Sequence, residues 1–193
     1  YLNNPGFVVK NTDWYFKHGI TWNDVSTGTF CSRYSPEGFI FADASPMFFT
    51  DYEYTFLAYF NTKVFQVFAD LICQGLHYST GHIPEIPCIL PDQKQREIIE
   101  ELAKECYSLC LIDWDSFETS WDFKEHPFVK WSKELWDATA IGATMQHYYG
   151  DHPKASCPLE LCYLLWQGEC NDRRAKLKAN EEELNRIFIE IYG

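Results

Sequence analysis

The chain has 193 residues, of which 46% are hydrophobic and 18% aromatic, so it can bury a core and is too apolar for a disordered segment. Its formal charge of −12 argues against a free-standing module held on nucleic acid by phosphate neutralisation. No apolar run approaches the roughly 20 residues of a membrane-spanning helix.

The acidic excess lies mainly in the second half: residues 1–90 carry 4 basic and 8 acidic side chains, residues 91–193 carry 12 and 20. The chain opens Tyr1-Leu2-Asn3-Asn4, without Met or a basic leader, as an excised piece of a longer protein would.

Residues 5–50 read as strands and turns. Phe7-Val8-Val9 is a short apolar run. Gly19-Ile20-Thr21-Trp22 and Thr29-Phe30-Cys31 flank a polar turn at 23–28. Ser35-Pro36-Glu37-Gly38 signals a second turn, ahead of Phe39-Ile40-Phe41-Ala42 as a buried strand. Residues 52–74 change period. Leu57, Phe60, Val64, Val67 or Phe68, and Leu71 recur at steps of three and four, which predicts one helix face. Gln74-Gly75 ends it, and the polar loop His77-Tyr78-Ser79-Thr80-Gly81-His82 follows. Ile83-Pro84-Glu85-Ile86-Pro87 reads as extended, because each proline disfavours helix at the residue before it.

After Pro91, Ile98, Ile99, Leu102, Cys106, Leu109 and Cys110 form the apolar stripe of a second helix. Asp115 with Glu118 has the form of a capping box for a further short helix. Residues 127–150 read as helical, Asp151-His152-Pro153 as a linker, and 158–192 as one long charged helix. The fold class is therefore α+β: a small mixed β-sheet domain at residues 1–90, then a mainly helical segment at 91–193.

Eight cysteines at this length are too dilute for a disulfide scaffold, and Cys157, Cys162 and Cys170 lack the paired C-x2-C spacing of structural zinc. They are expected to be reduced core thiols. His77 with His82, and His147 with His152, lie five apart, outside helical ligand spacing, so no metal is expected. Asp113, Asp115, Glu118 and Asp122 are expected to face solvent while Trp114, Phe117, Trp121 and Phe123 pack. The chain has no phosphate loop, no dinucleotide fingerprint, no nucleophile elbow and no zinc-protease motif. Asn4-Pro5-Gly6-Phe7 has a glycine where an amino-methyltransferase N-P-P-Y motif has its second proline, and reads as a turn.

Three segments resemble one family in its own order. Ile20-Thr21-Trp22, Ser26-Thr27-Gly28 and the run from Arg33-Tyr34-Ser35-Pro36 to Phe41 resemble the target-recognition region of PglX proteins. These are adenine-specific DNA methyltransferases of bacterial BREX phage-exclusion systems. Asp113-Trp114-Asp115-Ser116-Phe117-Glu118-Thr119-Ser120-Trp121-Asp122-Phe123 and the run from Leu177 to Gly193 are similar to later family segments. Residues 56–63 and 86–93, around the polar loop, resemble the second half of restriction–modification specificity domains.

The resemblance implies a target-recognition-like domain followed by a helical scaffold, both belonging to a longer cytoplasmic enzyme. That enzyme's S-adenosylmethionine site and catalytic motif would precede residue 1, so no catalytic residue and no cofactor are expected in this piece. Its partners would be double-stranded DNA through the whole enzyme, the catalytic domain in cis and subunits of the defence system, with no membrane.

The residues expected to reach DNA are Ser26, Thr27, Arg33, Tyr34, Lys63, Tyr78, Ser79, Thr80 and His82, on loops and element ends that a rigid sheet would hold toward the major groove. Plainer roles are open to each: Arg33 in a surface salt bridge, Tyr34 in packing, Lys63 on a solvated helix face. Ser26, Thr27, Ser79 and Thr80 have the chemistry of turn formers, and Tyr78 and His82 that of loop packing. Family members carry lysine near the turns where this chain has Asp24, Thr29 and Glu37, which weakens phosphate contacts here. The alternative to DNA recognition is an interaction or scaffold module whose acidic second half docks a basic partner.

Overall fold

The computed structural model describes residues 10–73, 75–135 and 158–193. Five helices and one three-stranded sheet occur among them: β1 (Gly19–Trp22), β2 (Ser32–Ser35), β3 (Met47–Phe48), α1 (Glu53–Phe60), α2 (Lys63–Ile72), α3 (Gln93–Trp114), α4 (Pro127–Leu135) and α5 (Pro158–Tyr192). The α+β class holds. The sheet is antiparallel throughout rather than mixed, in the order β2-β1-β3.

The chain divides into two compact units, residues 1–103 with 183–193 and residues 104–182. The last eleven residues belong with the first unit in this division. The reason is aromatic. In that unit Phe188 lies 5.5 Å from Tyr59, ring centre to ring centre, and Tyr192 stacks on Tyr59 at 6.0 Å. Both tyrosine hydroxyls donate to the Pro87 carbonyl, at 2.5 Å from Tyr59 and 2.8 Å from Tyr192. Burial, then the neighbouring Tyr192 hydroxyl, pushes the Tyr59 phenol far above its ordinary range.

Register in the first unit pairs Ile20 with Tyr34 and Phe48, and Thr21 with Arg33 and Met47. Gly19 is required by β3: a Cβ there would sit 2.9 Å from the Phe48 carbonyl oxygen. Ile20, Trp22, Phe30, Phe60 and Phe65 are buried, with the Phe30 and Phe65 rings 4.9 Å apart.

The helix predicted over 52–74 is two helices. Thr62 ends the first and caps the second: its hydroxyl donates to the Tyr59 carbonyl at 2.7 Å and accepts the Phe65 N–H at 3.2 Å. The break turns Phe65 and Ala69 inward and leaves Val67 and Leu71 exposed, so a single stripe does not survive. Asn61 stitches the break to β2, accepting the Ser32 N–H at 3.1 Å and donating to the Ser32 hydroxyl at 2.8 Å.

The buried strand expected at 39–42 is absent. The chain reverses at Gly38, at φ 100°, and Phe39 and Ile40 are exposed; Met47–Phe48 supplies the third strand. Residues 83–85 form a short 3-10 turn rather than an extended run, closed by the Ile86 N–H on the Ile83 carbonyl at 3.2 Å.

In the second unit, Trp131, Cys162 and Leu165 form a small core against Phe128, Leu161 and Trp166. Glu169 reaches Lys130 at 3.0 Å and accepts the Trp131 indole N–H at 3.3 Å. Buried Asn180 donates to Glu105 at 2.7 Å, and Lys176 lies 3.2 Å from the same carboxylate. Asn180 and then Lys176 hold the Glu105 carboxyl below its ordinary range. Burial, reinforced by Glu181, raises the Cys106 thiol to about 11.

The stripe on α3 is narrower than expected, since Ile99 and Ala103 are buried while Ile98 and Cys110 are exposed. Seven cysteines among the described residues are free thiols, but only Cys73 and Cys162 are buried; Cys31, Cys88 and Cys110 are exposed. No helix follows the Asp115–Glu118 box. Asp115 instead accepts the Ser120 hydroxyl at 2.6 Å, closing a run of turns. Trp114, Phe117 and Trp121 do not pack as expected: all three are exposed. Phe7–Val9, Asn4–Phe7, His147 with His152, and the rest of the 127–150 helix lie outside the described residues.

Candidate recognition loops

The site is built from the ends of β1 and α2. Past Trp22 the chain leaves the sheet, and past Cys73 it leaves the helix; the two exits pair with each other. The Tyr78 N–H donates to the Asp24 carbonyl at 2.7 Å and the Ser26 N–H to the Leu76 carbonyl at 3.0 Å, with Val25 opposite His77 in antiparallel register. The Trp22 indole N–H closes the base on the Tyr78 carbonyl at 2.7 Å, and Asp24 meets His77 Nδ1 at 3.0 Å. The two loops, 53 residues apart at that contact, form one ledge.

Local bonds fix the rest. Ser26 Oγ accepts the Gly28 N–H at 3.1 Å, and Gln66 of α2 accepts the Phe30 N–H at 2.8 Å. On the second loop, the Ser79 carbonyl accepts the N–H groups of His82 at 3.0 Å and Ile83 at 3.2 Å. Ser79 Oγ lies 3.2 Å from His82 Nδ1. Thr27 and Thr80 are exposed, with their hydroxyls outside this network.

Six of the nine expected residues therefore come together: Ser26, Thr27, Tyr78, Ser79, Thr80 and His82. Tyr78 is buried, edge-on to Phe30 at 5.1 Å, with its hydroxyl 3.4 Å from the Gly28 carbonyl; the ring supports the ledge from beneath. Arg33 joins the ledge through Asn23, donating from Nη2 to Oδ1 at 2.6 Å, rather than through a carboxylate.

Tyr34 and Lys63 do not join. Neighbouring strand residues point to opposite faces, and Tyr34 stacks on Tyr54 at 5.7 Å and beside His18 at 6.5 Å. Lys63 is exposed at the start of α2, its backbone N–H bonded to Asn185 at 2.8 Å.

Asn23, Asp24, His77 and Gln66 complete the ledge. Turn and loop signals in the sequence mark the segments that hold Asn23, Asp24 and His77 but give them no contact role, and they do not single out Gln66; the Asp24–His77 and Phe30–Gln66 bonds span 53 and 36 residues, which no local spacing marks. Among the described residues, no group of three or more His, Cys, Asp or Glu side chains is placed to hold a metal. The ledge carries hydroxyls, the imidazoles of His77 and His82, the amides of Asn23 and Gln66, the Asp24 carboxylate and one guanidinium, with Val25 and Leu76 exposed among them.

No protein-family model matches the chain. Two curated proteins do. The adenine-specific methyltransferase PglX of Lacticaseibacillus casei (strain Zhang) is 33% identical over 181 residues, covering 92% of this chain and 13% of that protein. The adenine-specific methyltransferase BrxX of Escherichia coli O9:H4 (strain HS) is 35% identical over 127 residues, covering 63% of this chain and 10% of that protein. The chain is a PglX-type region. It spans about an eighth or less of the length of these relatives. No helix among the described residues is long and apolar enough to cross a membrane.

Proposed function

We propose that this chain is a DNA target-recognition segment of a longer, site-specific adenine methyltransferase of BREX phage defence. The pairing of the 23–28 and 76–82 loops into one polar ledge beside Arg33 carries the reading. A base-reading surface needs polar groups held at fixed spacing, and a ledge bonded through its own backbone supplies them. The acidic chain favours base-edge contacts over phosphate contacts, which would come from other parts of the enzyme.

On this reading, S-adenosylmethionine binding and methyl transfer are assigned to the rest of the longer enzyme.

The test is methylation-site mapping in the complete enzyme carrying Arg33→Ala. If Arg33 reads a base edge bidentately, discrimination at one position of the target should fall by about 1–3 kcal/mol. Uniform weakening on all sequences, with a flatter salt dependence, would assign Arg33 to phosphate. Unchanged rate and site choice after joint replacement of Arg33, Thr27, Thr80 and His82, with folding intact, would remove the ledge from recognition.

A further inference from the structure

Trp121 is 94% exposed, the most exposed large hydrophobic side chain among the described residues, and it does not lie on a loose tip. Ser120, beside it, is buried; its hydroxyl donates to Asp115 Oδ1 at 2.6 Å and accepts the Asp122 N–H at 3.1 Å. Backbone bonds continue the lock: the Phe117 N–H donates to the Trp114 carbonyl at 3.2 Å and the Ser120 N–H to the Phe117 carbonyl at 3.0 Å. The segment is thus a rigid mount that holds an indole out. Trp114, at the end of α3, is also more than half exposed, and Asp115, Glu118 and Asp122 lie along the turns that follow it.

A tryptophan on a preorganised mount is the side chain that most often anchors an interface, because little ordering entropy remains to be lost on docking. Asp113 is paired with Arg173 at 3.3 Å and Asp115 holds Ser120, so the exposed carboxylates of Glu118 and Asp122, on either side of Trp121, are the ones that select a cationic rim. The size of the relatives indicates where that surface lies: the match takes in 13% and 10% of them, so most of their polypeptide is outside it.

We infer that the 113–123 turn docks this region onto the remainder of the longer methyltransferase polypeptide, with Trp121 entering an apolar recess rimmed by lysine or arginine. The inference rests on the reading that the chain is part of that enzyme. Its test is independent of the recognition ledge.

The experiment is hydroxyl-radical footprinting of the complete methyltransferase polypeptide, read by peptide mass spectrometry with N-acetyltryptophanamide as the internal standard. Trp121 should oxidise about tenfold or more slowly than the standard, as a desolvated anchor does. Trp121→Ala should raise the reactivity of a Lys- or Arg-containing segment outside these residues. Oxidation of Trp121 at the standard's rate overturns the docking, and so does protection that appears only when a second purified protein is added. An exposed Trp121 in an enzyme whose site choice still follows the ledge residues would sink the docking alone. A protected Trp121 with site choice indifferent to the ledge would sink the recognition reading alone.

Discussion

The core under the ledge in the first unit and the turns after α3 in the second use aromatic residues in opposite ways. In the core of the first, Phe30, Tyr59, Phe60, Phe65 and Tyr78 are buried against one another, and the ledge above them shows Val25 and Leu76 to solvent beside its polar groups, with Trp14, Phe16, Phe39 and Tyr52 exposed elsewhere in the unit. In the second, Trp114 at the end of α3 and Phe117 and Trp121 on the turns after it are exposed, and the buried cluster is the small one around Trp131 and Leu165. An aromatic-rich composition therefore does two jobs. Hidden rings make a platform stiff enough to position hydrogen-bonding groups; displayed rings make a surface that gains from being covered.

That contrast is open to direct attack. Phe65→Ala should do the greatest damage, since the ring is fully buried against Phe30, Tyr59 and Phe60. A loss of about 3–5 kcal/mol is expected in urea unfolding. Amide exchange should quicken at Tyr78 and Ser26, which hang from the same platform.

Cys106 sharpens the picture of the second unit. With its thiol raised to about 11, it stays protonated through neutral pH and ionises only as pH climbs toward that value. Timed iodoacetamide labelling at pH 8 should modify it roughly a hundredfold more slowly than in the urea-unfolded chain, where the thiol returns to its ordinary pKa. A rate equal to the unfolded one would mean that the Cys106 environment is not formed.

Thr62→Ala removes the cap between α1 and α2 and should cost about 1 kcal/mol in the same unfolding assay, with the effect confined to the first unit. The smallest change is expected from Trp121→Ser, within about 0.5 kcal/mol of the parent, because an exposed ring contributes little to the fold that displays it. A large destabilisation there would show Trp121 to be part of a core.

The long helices, β1 and the polar loops were legible because their signals are local: apolar periodicity over 93–114, a charged run over 158–192, turn residues at 23–28 and 77–82. The break at Asn61-Thr62 was written in the sequence as a capping residue, but the apolar period ran through it and hid it. Phe39-Ile40-Phe41-Ala42 misled for the converse reason. It has strand composition, yet the reversal at Gly38 leaves it without the partner that Met47 and Phe48 find on β1. The ledge was half legible. Its hydroxyls and His82 stood out as loop chemistry, while the roles of Asp24 and His77 depended on a pairing across 53 residues. The exposure of Trp121 ran against composition, since nothing local distinguishes a displayed tryptophan from a buried one.

The return of the last helical turn to the first unit has a consequence for how the protein is made. Tyr192 binds the Pro87 carbonyl and accepts the Ile89 N–H, contacts that span 105 and 103 residues, and the Lys63–Asn185 bond spans 122. A nascent chain emerges from its N-terminal end, so the strands, α1 and α2 are synthesised long before the segment that seals them. Until Phe188 and Tyr192 leave the ribosome, the Tyr59 side of the platform stays open to water, and an apolar surface waits for a partner a hundred residues away. A translational pause or premature stop inside the final helix should therefore yield a protease-sensitive first unit even though every residue of its sheet has been made.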